Sequence, residues 1–356
     1  MDRRAFLTVV TGGLGTLAAA GPALAARHTF PAAEWAQGDP PPADRAAALT
    51  ALLAGGDSTG VLVIHRGRVL FAYGDVRATS YLASARKSLV SMLYGRYVAD
   101  GTVRLGTSLR ELGFDDIGGL LPAELEATVG DLLAARSGIY HRAANLGDAS
   151  DRAPARGSVR HGRYFLYNNW DFNALGAILE QVTGRSLYDI FGADIAGPIG
   201  LQDWNPAAGA YRDLIRNDTG LSKHPAHHVA LSTRDMARVG YLMLRDGRWG
   251  DRQVLPAAWA RRISRTVTPA AEVARTSPFV EGLGYGLLWW TFDGETFRRT
   301  PLRDAYTASG AFGQFITVIP RLDLVVAHKT AVPPARNVPP EAYIGRILPA
   351  VLGLVR

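Results

Sequence analysis

The 356-residue chain contains no cysteine, which excludes disulfides, a cysteine nucleophile and thiolate metal sites together. Stability has to come from packing. Lysine is nearly absent as well: 36 arginines stand against Lys87, Lys223 and Lys329 alone. In a chain that meets its need for positive charge with arginine, a retained lysine raises a question, because a buried amine can lose its proton and a guanidinium cannot. No apolar run is long enough to span a bilayer. The formal charge of +7 is scattered, without a dense basic tract or interleaved aromatics, so a nucleic-acid partner is not expected. What is present suits a soluble globular protein, since 47% hydrophobic content over this length can bury a large core.

The first 26 residues, MDRRAFLTVVTGGLGTLAAAGPALAA, combine paired arginines, a modest apolar stretch and an Ala-x-Ala end at Ala23 to Ala25. They read as a cleaved export signal. The order Arg3-Arg4-x-Phe6-Leu7 resembles the twin-arginine type. The expected mature protein is periplasmic or secreted, begins near Ala26 or Arg27 and keeps no membrane insertion. An uncleaved anchor is the alternative, and Gly12, Gly13, Gly15 and Pro22 interrupt it.

Beyond a proline-rich stretch, DRAAALTALLAG has helical spacing and VLVIHRGRVLFAYG reads as a hairpin. Near the other end, GYGLLWWTFDG, FGQFITVIP and DLVVAHKTAV read as three strands, followed by the helical PEAYIGRILPAVLGLV. Between them TVGDLLAARSG, WDFNALGAILEQVTG, STRDMARVGYLMLRDG and PAAWARRIS carry helical periodicity with caps. The expected fold class is α/β (α+β): one antiparallel sheet built from residues 27–80 and 281–356, with a helical lobe over 81–280 inserted as a block. The groove between them is a natural site.

Ser84 and Lys87 lie three apart in YLASARKSLVSMLYGRYVADG, so on a helix both side chains share a face, and a serine beside a candidate base is a candidate nucleophile. Alone the spacing is weak, because a capping serine and a lysine with its head in water would produce it too. Gly56-x-Ser58-x-Gly60 matches the nucleophile elbow of α/β-hydrolases, but that motif follows a strand and opens a helix, and here the order is reversed. His224, His227 and His228 invite a metal reading that no carboxylate pattern accompanies; a loop packed near the cleft is the simpler expectation. Trp170, Trp289 and Trp290 could wall an apolar subsite, and core packing accounts for each equally well.

Further along, Tyr167 and Asn169 form Tyr-x-Asn directly before an apolar-periodic helix in RYFLYNNWDFNALGAILEQVTG. With these motifs in this order the chain resembles the serine β-lactamase and penicillin-binding superfamily, in the branch of class C β-lactamases, carboxylesterases and 6-aminohexanoate-dimer hydrolases. ATVGDLLAARSGIYH, IAGPIGLQDW and HPAHHVALSTRDMARVGYLMLRDG extend the likeness over most of residues 50 to 350. The resemblance implies a β-lactamase/transpeptidase-like fold. It implies Ser84 as the acylated nucleophile, Lys87 as its base, Tyr167 as the proton relay and Asn169 as an amide holding both substrate and Lys87. The relay is expected to share its protons, an ammonium favouring the tyrosine anion and burial lowering the lysine.

The superfamily's third motif, a Lys-Thr-Gly strand, looks replaced by Ala308-Ser309-Gly310 in YTASGAFGQF. Backbone N–H groups of Ser84 and Ala311 would then form the oxyanion hole, with Ser309 and Gly310, and Trp170 and Trp290, nearest the substrate. Lys329-Thr330 in HKTAV is a rival placement ending in Ala331. The missing cation at Ala308 favours an ester or small linear amide over a penicillin-recognising role as DD-peptidase or β-lactamase. A cell-wall binding module without catalysis is the third reading. No cofactor or metal is implied.

Overall fold

Gly60–His65 (β1) and Arg68–Gly74 (β2) form the hairpin expected near the start of the chain. Its turn takes the left-handed conformation at Arg66 and Gly67, with φ of 51° and 78°, which matches the twist of the flanking strands. The computed structural model describes residues 28–145, 147–206, 217–276, 282–332 and 336–355. The export signal over 1–26 lies outside them.

Two-stranded ladders join Thr79–Tyr81 (β3) to Ala230–Ser232 (β4), and Arg248–Trp249 (β5) to Arg252–Gln253 (β6). The chain returns to the main sheet with Gly284–Tyr285 (β7), Trp290–Thr291 (β8), Tyr306–Gly310 (β9), Gln314–Ile319 (β10) and Leu324–Lys329 (β11). Among the described residues these give one antiparallel sheet in the order β2-β1-β11-β10-β9-β8-β7. The first and last strands in sequence, β1 and β11, pair along their length, Gly60 opposite Lys329 and His65 opposite Leu324. Val61, Leu62, Val63 and Ile64 of β1 are all buried, each contributing about 1.5–3 kcal/mol by leaving water.

One expectation needs correction. GYGLLWWTFDG is not a single strand but two short ones, reversed by a tight turn in which Leu288 takes φ 64° and Gly286 N–H donates to the Trp289 carbonyl.

Helix α1 (Ala43–Ala54) and the C-terminal helix Leu348–Gly353 pack together, and helix Thr233–Leu244 packs on β10, β11 and β1. The intervening segment supplies α2 (Arg86–Ala99), α3 (Val129–Leu133) and α4 (Asn169–Thr183). Thr128 caps α3 in a reciprocal box with Asp131, and Asn168 caps α4 by accepting the Trp170 N–H. Among the described residues no helix is long and apolar enough to cross a membrane.

Candidate active site

Ser84 sits in a single 3-10 turn, Ala83–Ala85, that runs into the first turn of α2. Ala83 holds φ at 48°, a strained value for a residue with a Cβ and one that persists where the surroundings enforce it. Ser84 is partly exposed at the positive end of a 14-residue helix whose first turn carries no acidic residue. Negative charge forming on its oxygen is therefore favoured. One turn further, Lys87 is buried, with 2% of its surface exposed.

Tyr167 and Asn169 reach the same point from the start of α4. Lys87 Nζ lies 2.8 Å from Tyr167 Oη and donates to Asn169 Oδ1 at 2.6 Å, while Tyr167 is hydrogen-bonded to the Ser84 side chain. The amine also stands 4.1 Å from the Tyr167 ring centre and 4.4 Å from that of Phe172. Asn169 is held in turn: its N–H donates to Asp148 Oδ2 at 2.7 Å and its side-chain amide faces the Asn145 carbonyl at 3.4 Å.

Burial drives the protonation of this cluster. It pushes Lys87 well below the ordinary lysine value, assisted by the adjacent Arg86 charge and opposed by Asp148. It pushes Tyr167 above the ordinary tyrosine value, against the Ser84 hydrogen bond and the Arg86 charge. The expected tyrosine anion is thus not favoured at rest, because the cost of desolvating a phenolate outweighs the Ser84 hydrogen bond and the Arg86 charge. The arrangement suits a neutral amine next to a neutral phenol. A serine proton can then move to Tyr167 while the phenol's own proton moves to Lys87.

The end of β9 closes over the Ser84 turn. A Cβ at Gly310 would lie 2.3 Å from the Leu82 carbonyl, 2.9 Å from Ala85 N and 3.1 Å from Ser84 N. Only glycine allows that approach. It brings the strand that leads into Ala311 against the Ser84 amide.

The family model described as Beta-lactamase matches residues 46–341. The chain belongs to the beta-lactamase family. It is accordingly a serine hydrolase of the β-lactamase/transpeptidase fold. A search of curated proteins returned no match. Among solved structures it is similar to EstCE1, a hydrolase with promiscuous acyltransferase activity, at 17% identity over 88% of this chain and 98% of that one, with TM-score 0.62. A beta-lactamase from Mycobacterium bovis matches at 20% identity over 86% and 99%, with TM-score 0.61. A Bacillus anthracis protein provisionally assigned as a 6-aminohexanoate-dimer hydrolase matches at 17% identity over 86% and 80%, with TM-score 0.63.

Other residues singled out in this beta-lactamase family chain fall elsewhere. Trp170 is corrected from subsite wall to core: it is fully buried and its indole N–H donates to Asp116 Oδ2 at 2.6 Å. Trp289 is fully buried too, whereas Trp290, 5% exposed, stands 5.3 Å from the Tyr167 ring. Lys329 ends β11 as a buried amine held by the Ser80 and Leu231 carbonyls, remote in role from a substrate strand. Ser58 lies between α1 and β1, not between a strand and a helix. His224 bonds the Asp115 carbonyl, His227 pairs with Glu180 at 3.2 Å and His228 bonds Tyr81 at 3.0 Å; among the described residues no group of three or more such side chains could hold a metal.

Sequence reasoning missed Arg86, Asn145, Asp148 and Asn173. Arg86 Nη2 donates to Asn173 Oδ1 at 3.2 Å, and Asn173 Nδ2 to Asn145 Oδ1 at 2.8 Å, an amide chain running back toward Asn169. A buried arginine beside the only lysine of α2 was the available signal. A cavity of about 360 Å³, lined in part by Tyr140, Asn145, Asp148, Asp151 and Asn168, opens beside it.

Proposed function

We propose that this chain is an exported serine hydrolase that forms an acyl-enzyme on Ser84 and acts on an ester or a small linear amide. The observation that carries the reading is the continuous path from Ser84 through Tyr167 to Lys87, with Asn169 fixing the amine. In the reaction, Ser84 Oγ bonds to the substrate carbonyl carbon and its proton passes to Tyr167 as the phenol proton passes to Lys87. The tetrahedral oxyanion is held by the Ser84 and Ala311 N–H groups. Collapse breaks the bond to the alcohol or amine, which takes the proton back along the same path. Water then repeats the sequence and releases the acid. The reaction as written needs no metal and no cofactor.

Export is supported by Arg3-Arg4 and the Ala-x-Ala end. The preference for esters and linear amides over β-lactams and peptidoglycan stem peptides is supported by Ala308, a buried, uncharged side chain where a cation would receive a substrate carboxylate. The test is one panel of chromogenic esters, aminohexanoate dimer and nitrocefin on the wild type, Ser84→Ala and Ser58→Ala. Ester or amide turnover is expected, abolished with fluorophosphonate labelling in Ser84→Ala and slowed by no more than about fivefold in Ser58→Ala, whose hydroxyl is outside the proton path. Turnover of nitrocefin alone, or labelling that survives in Ser84→Ala, contradicts the proposal.

A further inference from the structure

Ser58 and His328 lie outside the proton path, yet they meet inside the fold. Ser58 Oγ lies 2.8 Å from His328 Nε2, and His328 Nδ1 lies 2.8 Å from the Gly313 carbonyl oxygen. A carbonyl only accepts, so Nδ1 carries the proton and donates. Burial keeps the imidazole neutral, pushing it down to about 4, so Nε2 is bare and accepts the Ser58 hydroxyl. Tautomer and ring orientation are therefore both determined.

Gly313 ends the three-residue turn Ala311-Phe312-Gly313, which joins β9 to β10 between the paired Gly310 and Gln314. The turn is strained: Phe312 and Gly313 take φ of 70° and 101° in succession, a course for which a phenylalanine needs outside support. Two supports come from beneath the sheet end. Val338 N–H donates to the Phe312 carbonyl at 3.2 Å, and His328 donates to that of Gly313. At its other end the turn begins with Ala311, one residue after the backbone that abuts Ser84 N.

We propose that His328 is a positioning residue for the oxyanion hole: by tying the Gly313 carbonyl to β11, with Ser58 as its second support, it fixes the turn that presents the Ala311 N–H. The inference rests on the acyl-enzyme reading of Ser84. It gives the Ser58 motif a place in the fold that the elbow reading could not.

The test compares His328→Asn, His328→Gln and His328→Leu with the wild type on an activated ester. An asparagine amide reaches the Nδ1 place and can still donate to Gly313, whereas a glutamine amide reaches the Nε2 place. The Asn variant should keep at least about a third of kcat, while Gln and Leu lose about 10–100-fold in kcat with KM within about threefold, because the Ala311 N–H that they misplace acts in the transition state. Nitrogen NMR of wild-type protein labelled at histidine should show His328 protonated at Nδ1 alone from pH 5 to 8. An Asn variant as slow as Leu, Gln and Leu variants near wild type, a loss confined to KM, or an Nε2-protonated ring overturns the proposal. If the Leu variant does not fold, the Asn and Gln pair and the wild-type spectrum decide. Wild-type turnover that Ser84→Ala abolishes, measured alongside, shows the acyl-enzyme reading intact whatever His328 does.

Discussion

Lys87 and Arg86 are consecutive buried basic residues on α2 with different contacts. The lysine touches Tyr167 and Asn169 directly. The guanidinium donates to a neutral amide, Asn173, and is hydrogen-bonded to Tyr81, while its Nη1 has no partner. A buried charge that costly is explained by its effect on its neighbour. Removing it makes the Lys87 ammonium less unfavourable, so the amine should hold its proton to higher pH. Arg86→Met should therefore move the rise of the acylation rate with pH in the alkaline direction, with the rates of the two proteins converging at the alkaline end. A pH profile of single-turnover acylation checks this, and an unmoved profile would mean that burial alone sets the amine. Ser84, Lys87, Tyr167 and Asn169 were legible because each pair is only two or three residues apart. Arg86 with Asn173 was not, since the two lie 87 residues apart and neither side chain signals the other. Trp170 misled because large aromatics line subsites and fill cores with the same residue type.

Among the elements, the strands β1, β2, β10 and β11 and the long helices were legible from periodicity and caps. The reversal between β7 and β8 lies in a largely apolar run and puts its left-handed residue on Leu288, a residue with no turn signature. Ala83 is a similar case at the Ser84 turn: its left-handed backbone is imposed by packing. The β9–β10 turn makes a prediction about acid stability through His328. The unfolded chain takes a proton on this ring near pH 6.5, while the fold resists it down to about 4. A base depressed in the folded state contributes no penalty above the unfolded value, and stability is lost as pH falls through this window. The loss should approach about 3 kcal/mol by pH 4. Thermal melts from pH 7 to 4 should show a shallower decline for His328→Asn than for the wild type. Parallel curves would mean that the ring takes up its proton in the fold as readily as in water.

At the scale of the molecule, the site exists because the two ends of the chain share one sheet. The Ser84 turn follows the first strands, Tyr167 and Asn169 come from the segment that enters α4, and Gly310 and Ala311 arrive with the last strands. Strand patterns at both ends of the sequence made that shared sheet legible early. Which acyl and leaving groups fit was not, because that depends on loop geometry whose contacts are distant in sequence. The central claim is that Ser84 is acylated while Lys87 receives its proton. The most direct measurement follows the intact mass of the whole chain during single-turnover reaction with an activated phenyl ester, in the wild type and in Lys87→Arg, beside thermal melts of both. The account predicts one acyl group per chain, mapped to the Ser84 peptide. In a normally folded Lys87→Arg protein it should form at least about a hundredfold more slowly, because a guanidinium keeps the charge and cannot accept a proton. An acyl group on another residue, or a Lys87→Arg protein acylated at nearly the wild-type rate, would contradict it.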